Sequence, residues 1–391
     1  MRSLEQALAQ LDAAHLRRRR LTVESFVAPG ARVRLQVGGR ELTDFSSNDY
    51  LGLARHPALA QAMAECAGIA GAGSAASHLV SGHGREHQQL EEELAAFTRR
   101  ERALLFSSGY AANLAVMTSL AGRGERAVLD KLCHASLIDG ARLAGATLKR
   151  YAHADAAAAR HLLGDDAALL ATDGVFSMDG DLAPLPQLAA AARAAQAWLV
   201  VDDAHGLGVV GASGGGTLEH FGLDASAAPV LVGTLGKAFG SFGAFVAGDA
   251  ALVEFLIQKA RSYIYTTALP QPVAAATRAA LALLIREGWR RERVAELTAR
   301  FRGRAQAAGI PLMASATPIQ PVLLGTASAA VAAHERLKAA GFLVIAIRPP
   351  TVPAGGARLR VTLSAAHTEA QVDALVEALA LACEPAREDP A

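Results

Sequence analysis

The feature that most restricts the fold is an alternation, from Ala103 to Ala247, between short apolar runs and segments of helix length. Residues 103–106, 127–129, 169–172, 198–201, 230–234 and 243–247 read as strands. Helices are expected over 109–120 and 136–144, with alanine-rich helical segments between several of the later strands. Runs such as Leu199-Val200-Val201 and Val230-Leu231-Val232 are apolar at every position, as strands buried on both faces must be. The class expected is α/β, a mostly parallel central sheet covered by helices. Ligands of such sheets bind at the carboxyl ends of the strands.

Two of those ends carry unusual chemistry. Val230-Leu231-Val232-Gly233-Thr234 runs into Leu235-Gly236-Lys237, setting one lysine beside an apolar wall. Desolvation there favours the neutral amine, which can attack a carbonyl and form a Schiff base. Some thirty residues earlier, Trp198-Leu199-Val200-Val201 delivers Asp202 and, three residues on, His205. An imine-forming lysine and a carboxylate able to keep a pyridinium nitrogen protonated are the protein groups that a pyridoxal phosphate site needs. Alone, the lysine is an ordinary solvated loop residue and the aspartate an ordinary cap or turn residue.

Two other motifs fail on context. Gly206-Leu207-Gly208-Val209-Val210-Gly211 spells a dinucleotide fingerprint and raises a nicotinamide-dependent oxidoreductase as an alternative. It is followed by Ala212-Ser213-Gly214-Gly215-Gly216 rather than by a helix to receive a pyrophosphate, and carboxylates crowd in front of it. Gly236-Lys237 lacks the leading glycine and the magnesium-binding hydroxyl of a P-loop, with Leu231 and Ala238 in their places.

The remaining strand ends add suitable groups. Ser107-Ser108-Gly109-Tyr110 opens a helix whose free amides form an anion site, so Gly109 and Tyr110 can receive a phosphate. His134 follows the strand at 127–129 and can lie over a planar cofactor, while Thr172-Asp173-Gly174-Val175-Phe176-Ser177 brings a hydroxyl.

The 391 residues suggest a large domain with a smaller one attached. The expected division is an N-terminal helix and hairpin at 1–45, a large cofactor-binding domain at 46–280 and a small α+β domain at 281–391. A net charge of +1 creates no broad field to attract nucleic acid or an anionic membrane, so a small-molecule partner is expected. Cys66, Cys133 and Cys383 are scattered, which speaks against a disulfide framework or a structural zinc site; no metal is expected. No run approaches a membrane span and no secretory leader is visible, so the expected compartment is the cytoplasm.

Leu4, Leu8, Leu11 and His15 or Leu16 recur at helical spacing, giving an amphipathic helix expected to end in Arg17-Arg18-Arg19-Arg20, where cations suit its dipole. Such a run is ordinarily solvated surface, but one arginine can turn inward to clamp a carboxylate. Residues 32–45 read as a hairpin around Gly38-Gly39, and 71–84 as a glycine- and serine-rich loop able to wrap a ligand or merely connect. A helix is expected around 87–98. Past residue 280 come a strand at 319–324, a helix near 327–341, an apolar run at 343–347 and a half-buried strand at 359–363. A last helix is opened by a Thr368–Gln371 capping box.

Taken together, the chain resembles the α-oxoamine synthases of pyridoxal phosphate fold type I along nearly its whole length. The resemblance rests on Ser47-Asn48-Asp49-Tyr50-Leu51-Gly52-Leu53, Phe176-Ser177-Met178-Asp179-Gly180-Asp181, Val201-Asp202-Asp203-Ala204-His205-Gly206, Thr234-Leu235-Gly236-Lys237 and Ala346-Ile347-Arg348-Pro349-Pro350-Thr351-Val352-Pro353. The last motif looks like the branch that condenses L-alanine with a pimeloyl thioester, on coenzyme A or an acyl carrier protein, in biotin biosynthesis. Glycine-using relatives, the aminolevulinate synthases and aminoketobutyrate ligases, are less alike there and form the closest alternative.

The resemblance implies that Lys237 carries the Schiff base with the cofactor and later moves the α-proton, and that Asp202 pairs with the ring nitrogen. His205 and Ser177 would contact the phenolic oxygen, His134 would stack on the ring, and Gly109, Tyr110 and Thr234 would hold the phosphate. Thr266 or Thr267 would come from a second subunit of a homodimer, and Arg17, Asn48, His134, Arg348 and Thr351 would meet substrate. Four adjacent arginines leave the register of Arg17 open.

Overall fold

The computed structural model describes residues 3–26 and 33–383. Arg32, the first residue of the expected hairpin, and residues 1, 2 and 384–391 at the outer edges of the expected segments lie outside the described residues. The chain divides into two compact units: unit one takes in the described residues of Met1–Tyr50, Met178–Asp181 and Glu292–Ala391, and unit two is Leu51–Ser177 with Leu182–Arg291. The N-terminal residues therefore group with the C-terminal ones rather than standing apart.

Unit two is built on a seven-stranded sheet in the order Arg102–Phe106, Ala244–Gly248, Val230–Thr234, Trp198–Asp202, Ala167–Asp173, Arg126–Asp130, Thr147–Tyr151. The last five run parallel to one another, whereas Ala244–Gly248 is antiparallel to both of its neighbours. Successive side chains point to opposite faces. Ala127, Leu129, Val200, Val230 and Val232 pack with Ala112, Val116 and Met117 of helix Gly109–Leu120. The intervening Val128, Leu170, Leu199, Val201 and Leu231 pack with Leu185 and Leu188 of helix Leu185–Ala194. Each buried Val, Leu or Met among them stabilises the fold by about 1.5–3 kcal/mol, so both faces are committed and the register is fixed. Thr147–Tyr151 was not among the strands expected from the sequence. It lies at the sheet edge with most of its residues solvated, so it never needed the apolar run that marks the others.

Unit one holds two small sheets. In one, Ser25–Phe26, Arg34–Val37, Arg40–Asp44 and Phe342–Leu343 lie in that order; in the other, Ala357–Thr362 lies between Ile319–Gly325 and Ile345–Ile347. The apolar run read as one stretch at 343–347 is thus shared between two sheets. The closing helix Glu369–Ala382 has the expected capping box, with Thr368 Oγ1 accepting from the Gln371 amide at 3.2 Å and Gln371 Oε1 accepting from the Thr368 amide at 2.8 Å. Its Val372, Leu375 and Leu379 join Phe45, Phe301, Leu359 and Val361 in one core.

Two expectations for this unit are corrected. Ala357–Thr362 is buried along its whole length rather than on one face. Its polar positions survive burial because they are paired: Arg358 donates to Asp179 Oδ1 at 2.8 Å, and Arg360 to Asn48 Oδ1 at 3.0 Å and Thr362 Oγ1 at 3.1 Å. The first helix spans Leu4–Ala13 and buries none of its residues; it stops before His15, whose φ of 54° is left-handed. The arginine run follows outside the helix, in chain without regular secondary structure, so its charges do not sit in the last helical turn.

Candidate active site

The reactive groups of unit two stand where parallel strands end. Lys237 lies three residues beyond strand Val230–Thr234, and its Nζ is 2.7 Å from His205 Nε2. His205 is brought there by a tight turn after Trp198–Asp202. Asp203, buried next to Asp202, holds that turn: its Oδ2 accepts from the Thr217 amide at 2.6 Å, and its burial pushes its pKa up to about 7. Gly206 is required because a Cβ there would lie 2.0 Å from Asp203 Oδ1. The glycine-rich stretch that imitates a dinucleotide fingerprint is therefore turn around a carboxylate, and the helix that follows, Gly216–His220, has only 5 residues.

Asp202 ends its strand in register with Asp173 and is only 7% exposed. Its Oδ1 accepts from the Ala204 amide at 3.1 Å and its Oδ2 from Asn113 Nδ2 at 2.6 Å. The same Asn113 nitrogen donates to Ser136 Oγ at 2.8 Å, and Ser136 Oγ lies 2.7 Å from His134 Nδ1. A buried network thus joins the carboxylate to the imidazole. His134 Nδ1 also accepts from the Ser136 amide at 3.3 Å, which puts the proton of the neutral ring on Nε2. Partial desolvation lowers the His134 pKa even though the residue is exposed, so the ring is neutral and free to lie against a flat ligand. Asp173 Oδ1 accepts from the His134 amide at 3.0 Å; burial, reinforced by the Asp202 charge, raises the Asp173 pKa well above the carboxylate range.

Helix Gly109–Leu120 presents its N-terminus to the same end of the sheet. Ser108 Oγ caps it by accepting from the Ala111 amide at 3.2 Å, and nothing lies within 4 Å of where a Gly109 Cβ would be. Asn113 is four residues further along, roughly 6 Å of helix rise, so the anion-attracting N-terminus stands one turn from the residue that binds Asp202. Tyr110 is anchored by its hydroxyl to Asp139 Oδ2 at 2.6 Å. Thr234 ends its strand, with its hydroxyl 3.2 Å from Gly243 O. Ser177 is half-buried after strand Ala167–Asp173. Thr266 and Thr267 occupy another turn, after helix Arg261–Ile264, where Thr266 Oγ1 is 3.5 Å from Thr267 O.

In unit one, Arg17, Arg348 and Thr351 meet around a cavity of about 530 Å³, together with Arg18 and His15. Arg348 donates to His15 O at 2.8 Å and to Arg17 O at 3.4 Å. Arg17 is turned to Asp12 Oδ2 at 2.6 Å, and it is Arg18 that reaches Thr351 Oγ1, at 3.0 Å. Asn48 stands apart from this group, its Oδ1 taken by Arg360. Sequence reasoning missed Asn113, Ser136 and Asp173. The signals were present but faint: an amide one turn into an apolar helix, and a second carboxylate at a neighbouring strand end.

The donor set fits pyridoxal phosphate. An amine within reach of an imidazole suits the aldehyde, a buried carboxylate suits the ring nitrogen, a neutral exposed imidazole suits the ring face, and an open helix N-terminus suits the phosphate.

The aminotransferase class I and II family matches residues 40–379 of the chain. The 8-amino-7-oxononanoate synthase of Thioalkalivibrio sulfidiphilus is 57% identical over 97% of this chain and 97% of its own. That of Cellvibrio japonicus is 56% identical over 96% of this chain and 94% of its own. Among solved structures, a serine palmitoyltransferase from S. paucimobilis with a bound PLP–myriocin aldimine superposes with a TM-score of 0.91 at 29% identity, covering 97% of this chain and 96% of that one. An 8-amino-7-oxononanoate synthase from Francisella tularensis gives a TM-score of 0.78 at 33% identity, covering 87% of this chain and 97% of that one. No helix among the described residues is long and apolar enough to cross a membrane.

Proposed function

Because the chain belongs to the aminotransferase class I and II family, we propose that it is a pyridoxal phosphate-dependent 8-amino-7-oxononanoate synthase. It condenses L-alanine with a pimeloyl thioester, releasing carbon dioxide and the free thiol, in biotin biosynthesis. The observation that carries this reading is the 57% identity, over 97% of both chains, to a synthase of that name.

Pyridoxal phosphate, when bound, supplies an electron sink for the negative charge that develops at the amino-acid α-carbon. Lys237 would hold its aldehyde carbon and, once displaced by alanine, take the α-proton on Nζ. His205 Nε2, 2.7 Å from that nitrogen, orients the amine and with Ser177 would hold the phenolic oxygen. Asp202 would keep the ring nitrogen protonated, and Asn113 and the Ala204 amide aim its two oxygens. His134 would cover one ring face and exclude water from it. The amides of Gly109 and Tyr110, with the Thr234 hydroxyl, would bind the phosphate, joined by Thr266 or Thr267 of a second copy in a homodimer. Arg348 would bind the carboxylate of alanine, and Arg17 or a neighbouring arginine the far carboxylate of the pimeloyl group, with Thr351 beside them and Asn48 as a separate substrate contact. The enzyme would work in the cytoplasm, its acyl donor carried by coenzyme A or by an acyl carrier protein.

The test is an assay of the purified holoenzyme with pimeloyl thioester and either L-alanine, glycine or L-serine, reading carbon dioxide release and product mass. Alanine should be preferred by about 10–200-fold, the range one methyl group supplies. Preference for glycine would move the chain to another branch of the α-oxoamine synthases, and NAD binding without pyridoxal phosphate binding would overturn the reading.

A further inference from the structure

Away from the strand ends, three histidines of unit two gather around one point. His78 opens a single π-helical turn, His78–Gly82; His83 follows it, and His87 stands in the first turn of helix Arg85–Phe97. His78 Nδ1 and His83 Nδ1 are 3.0 Å apart, and one nitrogen from each of the three rings lies within 4.8 Å of the others.

What sets this cluster apart from a chance grouping is the state of the far nitrogens. His83 Nε2 faces Gln88 Oε1 at 3.3 Å, and Gln88 is itself oriented by donating from Nε2 to Glu92 Oε1 at 2.7 Å. His87 Nε2 bonds to the carbonyl of Leu269. An oxygen acceptor at Nε2 requires the proton to be there, which leaves the lone pair on Nδ1. For His87 the Gly84 amide agrees, donating to Nδ1 at 2.9 Å. His78 is oriented by stacking on Tyr263, with ring centroids 5.1 Å apart and planes 10° from parallel. Two of the three imidazoles therefore have the arrangement that outer-shell acceptors impose on metal-bound histidines.

We infer that His78, His83 and His87 form a binding site for a divalent transition-metal ion of the Zn²⁺ class, ligated through three Nδ1 nitrogens with water as the fourth ligand. Tetrahedral bonds of about 2.0–2.1 Å separate ligand nitrogens by roughly 3.3 Å, close to the present His78–His83 spacing. The His87 ring must draw in, exchanging the Gly84 amide for the metal. Three neutral imidazoles without a carboxylate select Zn²⁺, Co²⁺ or Ni²⁺ over Ca²⁺ or Mg²⁺. Without metal, one of the facing nitrogens of His78 and His83 must carry a proton for the other to accept. With His83 protonated on Nε2, that proton is on His78 Nδ1, and metal binding shifts it to the other nitrogen of the same ring with no change in charge. Bound metal would pin the glycine- and serine-rich loop at 71–84 to the helix that follows. The sequence reading expected no metal because it looked to cysteine spacing and left these histidines aside.

The experiment uses tag-free holoenzyme, saturated with pyridoxal phosphate so that the Lys237 cluster is filled, dialysed against chelator and titrated with Co²⁺. One equivalent per chain should bind, give the visible band of tetrahedral Co²⁺ and be displaced by Zn²⁺. His83 is only half-buried, so His83→Ala should fold normally by circular dichroism and lose far more affinity than the roughly 10–100-fold expected of an outer-shell loss. Gln88→Leu, which removes such an outer-shell acceptor, should weaken binding by about 10-fold. Absence of saturable uptake by the parent protein, or equal uptake by His83→Ala, would overturn the inference.

Discussion

The two units bury polar groups to opposite ends. In unit one the buried polar side chains have complementary partners: Arg358 has Asp179, Arg360 has Asn48 and Thr362, and the hydroxyls of Ser315 and Thr317 both donate to Gly180 O. His367 lies between the Ser364 amide, which donates to Nδ1 at 3.0 Å, and Asp44 O, 2.9 Å from Nε2, while its ring stacks on Phe45. These bonds specify conformation. In unit two, by contrast, Asp173, Asp202 and Asp203 crowd at adjacent strand ends, where burial and mutual repulsion raise the pKa values of Asp173 and Asp203. The hydrogen bonds from the Thr217 amide to Asp203 and from the His134 amide to Asp173 fix local turns but do not neutralise charge gathered in this way. Under the proposed function, a cationic ring nitrogen among them would offset the cost, and charge that is unfavourable in the protein alone would contribute to affinity for the cofactor.

Substitutions can break or sharpen this contrast. The largest effect is expected from Lys237→Ala, which should abolish turnover while the far-ultraviolet spectrum and melting temperature stay near those of the parent; retained activity would remove the basis of the proposed chemistry. Asp202→Asn comes next. Opposite charges about 4 Å apart are worth roughly 4 kcal/mol at an effective dielectric near 20, so exchange of the alanine α-proton should slow by about 10³-fold with little change in stability. If stability fell instead, the aspartate would belong with the structural pairs of unit one.

Asp179→Ala should do the reverse. It strands the buried Arg358 guanidinium and should lower unfolding stability by about 3–5 kcal/mol in urea titrations. The smallest effect concerns acid. Burial holds the His367 pKa down to about 4 against 6.5 unfolded, so its neutral form stabilises the fold above pH 6.5, and that contribution is lost as pH falls from 6.5 through 4. The loss amounts to about 3 kcal/mol. Imidazole NMR should find His367 neutral at pH 5, and a protonated ring there would contradict the assignment.

Much of this was legible in the chain because its signals are local. Helix 109–120 was read with the bounds it has, since Ser108 caps it and the dozen residues that follow are mostly apolar with no breaker among them. Strand 230–234 was read the same way, and with it the position of Lys237 at a strand end. The edge strand Thr147–Tyr151 was missed because a solvated strand need not look apolar, and Ala357–Thr362 was read as half-buried because arginine ordinarily marks a solvent face. The distant partners Asp179 and Asn48, which no local pattern announces, help make burial of Arg358 and Arg360 tolerable.

By itself, then, the sequence determined the alternation of strands and helices, the both-faced burial of the parallel strands and the placing of a lysine, a carboxylate and an imidazole at their ends. Periodicity and end signals act over a few residues, so they are written in the local sequence. The tertiary structure alone decided that Asn113 aims Asp202, that Arg18 rather than Arg17 meets Thr351, and that His78, His83 and His87 converge. The first two contacts join residues far apart in the chain, and the third depends on the exact turn of a loop packed against the distant Tyr263 and Leu269, so no local pattern records them.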